Sequence, residues 1–176
     1  RVLGEAHENT LASLGNVAIV YEKQKRYAEA EQLYEQLFEL QLRTFGADHP
    51  NALGTRMNLG GLYEVQGRLD EAEAQYRETL ADETRVLGDE HPSTMMTRAK
   101  LGGLCLRLGR IDEAEHWIPG VLEARRRALG DDNRQTIDTM AEVARLRQLQ
   151  GRLDEAAELY EEVLAFRMRD GRADED

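Results

Sequence analysis

The sequence is poor in the residues that define several protein classes. Its 176 residues include one cysteine, three prolines and only 6% aromatic side chains. A single cysteine excludes a disulfide-stapled fold, and so few prolines exclude a collagen-like chain. No apolar run approaches the roughly 18 residues that a membrane-spanning helix requires. These absences predict a soluble protein of a reducing, cytoplasmic compartment that has no membrane partner.

Basic residues are also scarce relative to acidic ones. Lysine and arginine number 23 against 34 aspartates and glutamates, which gives a net charge of -11. Such a chain repels the phosphate backbone, so we expect no nucleic-acid partner. The chain is 41% hydrophobic, enough for a folded core despite its many charges.

Two sequence motifs recur at steps of 42 residues, without an insertion. The first motif reads RVLGEAHENT from residue 1, RTFGADHPNA from 43, RVLGDEHPST from 85 and RRALGDDNRQT from 126, where Arg127 is the residue in phase with Arg85. The second reads KRYAEAE from 25, GRLDEAE from 67, GRIDEAE from 109 and GRLDEAAE from 151. Four copies in one register indicate a repeat architecture.

Each copy predicts two helices. Apolar side chains in its second half recur at three- and four-residue spacing, as in Leu69, Ala72, Tyr76 and Leu80, and the first half is similar. We place the first helices at 8–24, 50–66, 92–108 and 134–150, and the second helices at 27–45, 69–87, 111–129 and 153–169. Small residues allow the two helices of a copy to approach closely: Ala18, Gly60, Gly102 and Ala144. Such hairpins must stack to bury their apolar faces.

The second copy, from residue 49 to 88, reads HPNALGTRMNLGGLYEVQGRLDEAEAQYRETLADETRVLG. Its His-Pro start, its Asn-Leu-Gly-x-Leu-Tyr centre and its Glu-Ala-Glu motif resemble the tetratricopeptide repeat (TPR), in particular the 42-residue type of kinesin light chains. The resemblance covers residues 1–169 and implies an all-α fold, a right-handed α-α superhelix of four helical hairpins. We therefore expect hairpins at 8–45, 46–87, 88–129 and 130–169, a remnant of a preceding hairpin at 1–7, and a polar tail at 170–176.

The resemblance implies a non-catalytic scaffold that holds a peptide or protein segment in the concave groove lined by the first helices. Asn16 and Asn58 would bind the backbone of that peptide, or would only bridge adjacent hairpins. Gly61 and Gly103 would open pockets for its apolar side chains, or would only allow close helix packing. The candidate groove residues are Asn16, Ile19, Lys23, Met57, Asn58, Gly61, Met96, Lys100, Gly103, Arg107 and Arg145.

Two other functions remain open, an oligomerisation element that associates through its end hairpins and a regulatory arm of a larger enzyme. Residues 1–4 match residues 85–88, the end of a second helix, so we expect the chain to come from a longer protein. We expect the C-terminal RDGRADED to be disordered and the outer face of the last helix, with Val163 and Phe166, to lie open.

No pattern of catalytic, metal-binding or cofactor-binding residues occurs. The in-phase His7, His49 and His91 would lie roughly 20 Å apart in stacked hairpins, whereas zinc binds nitrogen at about 2.1 Å. They are therefore expected to begin the first helices, and Cys105 to be a buried small hydrophobe. We expect no enzyme activity, no metal and no cofactor.

Pro119 is a local departure from the repeat. It falls inside a second helix, where proline removes a backbone hydrogen bond and clashes with the preceding turn. We expect a kink or break between residues 115 and 120, covered by Trp117.

Overall fold

The structure, a computed structural model, describes the backbone of residues 7–173 and the side chains as far as residue 170. This part of the chain contains eight α-helices and no strand. The helices are α1 Glu8–Lys23, α2 Tyr27–Phe45, α3 Pro50–Val65, α4 Leu69–Leu87, α5 Pro92–Arg107, α6 Ile111–Leu129, α7 Arg134–Leu149 and α8 Leu153–Ala173. All eight begin where the spacing predicts.

The structure tests part of what the sequence predicts for the two ends of the chain. The predicted remnant RVLG lies outside the described residues, as do residues 174–176. Helix α8 continues to Ala173, so the predicted disorder of the tail is wrong for residues 170–173. The predicted exposure of Val163 and Phe166 is wrong, because Val163 is buried and Phe166 is half-buried against the core. Other apolar side chains of α8, Tyr160, Leu164 and Met168, are exposed.

The chain forms two compact units, residues 1–97 and 98–176, whose boundary lies within α5. In the first unit α1 packs on α2, α2 on α3 and α3 on α4, and in the second α6 packs on α7 and α7 on α8. The crossing of the two helices requires glycine in the second and third copies, whereas the first and fourth copies have Ala18 and Ala144 there. A Cβ atom on Gly60 would lie 2.6 Å from Cε1 of Tyr76, and one on Gly102 would overlap Ile118 in the same way.

The in-phase histidines cap the first helices. The Nδ1 atoms of His7, His49 and His91 accept a hydrogen bond, at 3.1 to 3.2 Å, from the backbone N–H two residues further on. In the fourth copy the side chain of Asn133 takes this role, at 2.9 Å from the N–H of Gln135. Each cap satisfies one of the unpaired N–H groups with which a helix begins. Gly67, Gly109 and Gly151 follow α3, α5 and α7. Each has a positive φ, a backbone conformation that favours glycine.

Helix α6 runs unbroken through Pro119, so a break between residues 115 and 120 is a wrong prediction. Pro119 is only half-buried and Gly120 is exposed, with no atom within 4 Å of an added Cβ. The carbonyl of Glu115, which loses its helical partner, can therefore be hydrated. Trp117 packs against the core of the second unit, and Cys105 is buried as expected.

Candidate functional site

A pocket of about 330 Å³ lies between α1 and α3 in the first unit, and α2 supplies its remaining wall. Three of the predicted groove residues, Asn16, Ile19 and Asn58, line it together. The pocket is open because small residues face it: Ala12, Gly15 and Gly54. No atom lies within 4 Å of a Cβ added to Gly54, so even a larger side chain would find space there.

Gln41 on α2 is a pocket residue that the sequence analysis missed. Its side chain is 5% exposed, and its Oε1 atom accepts no hydrogen bond from the described residues. A buried acceptor without a donor costs about 1–3 kcal/mol, so the pocket carries an unmet hydrogen-bonding requirement. The signal in the sequence is a polar residue four positions after Leu37, on the apolar face of α2.

The register position of Gln41 is buried and polar in two further copies. Glu83, 42 residues on, is 2% exposed, and its Oε2 atom has no hydrogen-bond partner among the described residues. Burial raises the pKa of Glu83, and the neighbouring Thr97, His91 and Arg56 oppose this rise. The carboxyl group thus lies where its charged form is poorly stabilised.

Arg125 takes the same position in the second unit and is also buried. Burial lowers the pKa of its guanidinium, while the charges of Glu142 and Asp138 act in the opposite direction. The guanidinium donates to the hydroxyl of Thr139 and, at 3.1 Å, to the carbonyl of Gln135. These bonds hold the end of α6 against the start of α7.

In the first two copies a tyrosine of the second helix forms a hydrogen bond with a glutamate of the first helix. The hydroxyl of Tyr76 donates to Oε2 of Glu64 at 2.9 Å, and the hydroxyl of Tyr34 donates to Glu22 at 3.3 Å. Burial, together with the charge of Glu22, raises the pKa of Tyr34 well above its usual range. In the third copy both partners become apolar and buried, as Leu106 and Ile118. Because the donor and the acceptor are replaced together, the third copy lacks this hydrogen bond and leaves no hydroxyl or carboxylate unpaired at these two positions.

The other predicted residues of the first unit, Lys23, Met57, Gly61 and Met96, are exposed or half-buried. A Cβ added to Gly61 would lie 3.7 Å from the hydroxyl oxygen of Tyr76, an ordinary contact. Gly61, unlike Gly60, is therefore not required by helix packing. Its assignment to a binding groove stays a prediction.

In the second unit the predicted residues Lys100, Arg107 and Arg145 are exposed. The space beside Gly103 is taken by a neighbouring side chain, because an added Cβ would lie 3.2 Å from Oε1 of Glu142. The absence of a side chain at Gly103 thus leaves space for the Glu142 carboxylate. Neither the pocket interpretation nor the helix-packing interpretation predicted this contact.

A larger cavity, of about 490 Å³, lies in the second unit between the start of α7 and the end of α8. None of the predicted groove residues lines it, and one wall is an exposed ion pair in which Arg169 and Asp132 approach to 2.7 Å. Within the described residues there is no group of three or more His, Cys, Asp or Glu side chains that could hold a metal ion. None of the described helices is long and apolar enough to cross a membrane.

The helices, their caps and their glycine crossings define a protein built from repeated α-helical hairpins. The family described as Tetratricopeptide repeat matches residues 9–81, 52–118 and 97–169, so the chain belongs to this family. Repeats of this family generally mediate protein–protein interactions, and the fold is typically a non-catalytic scaffold.

Solved structures agree with the family. The chain is 27% identical to the nearly identical TPR-like repeats of a Podosopora anserina protein assigned as a kinesin light chain, over 97% of this chain and 81% of that one, with a TM-score of 0.73. A variant of those repeats matches over the same shares at 27% identity and a TM-score of 0.76. BtubC (BKLC) from P. vanneervenii, at 16% identity, has the same fold, with a TM-score of 0.80 over 92% of this chain and 65% of that one. No curated protein matches the sequence.

Proposed function

We propose that this chain is a non-catalytic, cytoplasmic interaction module that binds an extended peptide segment in the pocket between α1 and α3. The observation that carries the proposal is the unpaired Oε1 atom of Gln41, buried in a pocket that Gly15 and Gly54 keep open. A buried polar atom that lacks a partner favours a ligand that supplies one.

The walls of the pocket suit a peptide in extended conformation. Asn16 is exposed and Asn58 is half-buried, so their carboxamides can each offer a donor and an acceptor to a peptide backbone. The volume of about 330 Å³ admits a peptide side chain between them. The remaining predicted residues of the first unit, Lys23, Met57, Gly61 and Met96, would contact the peptide as it continues along the first helices of that unit.

The residues that line the pocket limit which peptide side chains can bind in it. Leu11, Leu37 and Phe45 make much of the wall apolar, and Gln41 requires a hydrogen-bond donor. Glu8 is the one charged residue among those that line the pocket, so an acidic side chain is disfavoured. A neutral donor, a hydroxyl or a carboxamide, satisfies Gln41 without placing a charge in an apolar pocket.

The proposal is tested by selecting peptides from a displayed random library against the chain and measuring their affinity by calorimetry. Gly54→Arg fills the pocket, and we expect it to weaken binding by about tenfold or more, which corresponds to about 1.4 kcal/mol. Gly120→Arg is the matched control, because both glycines are helical with open space at the Cβ position. Unchanged affinity in Gly54→Arg, with the helical content intact, would show that the peptide does not occupy this pocket.

A second variant separates hydrogen bonding from shape. Gln41→Met keeps the length of the side chain and removes the unpaired acceptor. We expect it to raise stability while weakening the binding of peptides whose anchor is a hydroxyl or a carboxamide. If the selected peptides bind the variant as tightly as the original chain, Gln41 does not select the anchor.

A further inference from the structure

The cavity of about 490 Å³ between α7 and α8 lies on the side of α8 that faces α6. Glu162, one of its lining residues, approaches Arg126 of α6 to 3.4 Å, and Arg169 approaches Asp132, which precedes α7, to 2.7 Å. Tyr160, on another face of α8, does not line it. The cavity is therefore formed by the α6–α7 turn, α7 and α8 themselves, independently of any residues that follow α8.

The second copy shows which side chain fits the same place. Arg56 of α3 stands two repeats before Met140, one of the residues that line the cavity. Its side chain is buried, and its Nη1 atom lies 2.9 Å from Oδ2 of Asp82 and 3.7 Å from Oε2 of Glu78. Its guanidinium carbon lies 5.4 Å from the centroid of the Phe38 ring. The second copy thus packs an arginine where the fourth copy has a methionine and a cavity.

The surroundings of this place are alike in the two copies. An arginine–aspartate ion pair closes one side of it in each. Arg85 approaches Asp48 to 2.6 Å in the second copy, and Arg169 approaches Asp132 to 2.7 Å in the fourth. The fourth copy therefore keeps the frame that surrounds the arginine of the second copy and lacks the arginine itself.

Carboxylates are in excess around the cavity. Glu162 is the counterpart of Glu78, the glutamate beside Arg56, and Asp131 is a further lining residue. Arg126 lies 3.0 Å from Asp131 and 3.4 Å from Glu162. With the ion pair at the side of the cavity included, three carboxylates face two guanidinium groups, which leaves one negative charge. A positively charged occupant is therefore favoured over a neutral or an acidic one.

The rest of the wall suits the stem of an arginine side chain. It is apolar and consists of Ile137, Met140, Ala165 and Met168. Arginine packs its methylene groups on apolar surface while its charged end reaches polar groups. Its planar guanidinium also offers several N–H donors in a fixed geometry, which a lysine ammonium does not.

We propose that the cavity between α7 and α8 is a docking site for an arginine side chain of a partner protein. The guanidinium binds Glu162 and Asp131, and the stem packs on Met140 and Met168. The partner thus supplies in the fourth copy the group that Arg56 supplies within the second. The proposal does not rest on the proposed function, because different residues line the two sites.

The test uses the tripeptide acetyl-Gly-Arg-Gly-amide as the probe. Its citrulline analogue is the matched control, because citrulline has nearly the shape of arginine and no charge. Labelling with ¹³C at the methionine methyl groups gives a reporter at each of the five methionines, Met57, Met95, Met96, Met140 and Met168. In an NMR titration at constant ionic strength, the arginine peptide should shift the signals of Met140 and Met168 and leave the other three unchanged. The citrulline peptide should bind about fivefold more weakly or less.

Two variants test the site from the side of the chain. Met140→Arg places in the cavity the side chain that the second copy carries there, and it should abolish binding of the arginine peptide. Glu162→Gln removes a carboxylate at a position that is 57% exposed, so the fold is kept, and it should weaken binding by about two- to fivefold. Gly120→Arg adds an arginine at an exposed position that does not line the cavity, and it should leave the affinity unchanged.

Four outcomes would overturn the proposal. The signals of Met140 and Met168 could stay in place at peptide concentrations of tens of millimolar, or the citrulline peptide could bind as tightly as the arginine peptide. A Met140→Arg variant with unchanged helical content could still bind the peptide. Shifts confined to Met57 and Met96 would mean that the peptide binds along the first helices of the first unit instead.

Discussion

Replacing Glu83 by glutamine should stabilise the chain at neutral pH. The carboxyl group is 2% exposed, and its Oε2 atom has no hydrogen-bond partner in the described part of the chain. Glutamine removes the buried charge, and its amide can donate to the neighbouring Thr97 hydroxyl. The first copy already carries glutamine at this register position, as Gln41.

The expected size of the effect follows from the buried oxygen. An unsatisfied buried acceptor costs about 1–3 kcal/mol. Gln41 shows that glutamine at this position still leaves one acceptor unpaired, so only the lower part of this range can be gained. We therefore expect a gain of about 1–2 kcal/mol, or about 3–6 °C in melting temperature.

The effect should depend on pH in a definite direction. Burial raises the pKa of Glu83, so the folded chain retains a proton that the unfolded chain has already released. The contribution of Glu83 to stability is therefore fully present below the unfolded pKa and is lost as the pH rises through the folded pKa. The advantage of Glu83→Gln should be small near about pH 4 and should grow toward pH 7.

Urea unfolding followed by circular dichroism across this pH range measures the difference. Glu78→Gln, on the same helix, is the control, because it makes the same change of charge at a side chain that is 67% exposed. The reasoning is refuted if Glu83→Gln is less stable than the original chain at neutral pH, or if its advantage does not change with pH while the control behaves as expected.

Three further sets of substitutions test the packing and capping of the hairpins by thermal unfolding. Gly60→Ala should destabilise by about 1–3 kcal/mol because its Cβ would meet the Tyr76 ring, whereas Gly61→Ala should stabilise by up to about 1 kcal/mol; equal effects would contradict the crossing geometry. His49→Ala should cost about 1 kcal/mol and His49→Asn much less, and an unchanged stability in His49→Ala would mean that the imidazole does not cap α3. Tyr76→Phe should cost about 1 kcal/mol through the lost hydrogen bond to Glu64, and no change would mean that this bond contributes nothing.

The sequence predicts most of the fold because its determinants are local and repeated four times. The spacing of residues such as Leu69, Ala72 and Tyr76 sets the second helices, and the start of every helix agrees with the structure. The crossing residue Gly60 was also identifiable, because it lies in phase with small residues in the other copies. Each of these features depends on neighbours within one hairpin or at a fixed step along the chain.

The remaining features depend on contacts that periodicity does not encode. Gln41 reaches the pocket from α2, so the pattern of the first helices does not predict it. The space beside Gly103 is filled by Glu142, which depends on side-chain length in the next copy. The unbroken helix at Pro119 depends on exposure of the adjoining turn, which the apolar pattern does not define.

The hydrogen bonds from Tyr34 and Tyr76 bear on the entropy of binding. A glutamate on an open helix face must give up its freedom of rotation when it contacts a ligand, at about 0.5–1.5 kcal/mol for each side chain. Glu22 and Glu64 are already held by the tyrosine hydroxyls, so part of that loss has occurred during folding. Leu106 and Ile118 provide no such carboxylate in the third copy. The two carboxylates of the first two copies are thus held in place before any ligand binds, whereas the third copy has a buried leucine at this position.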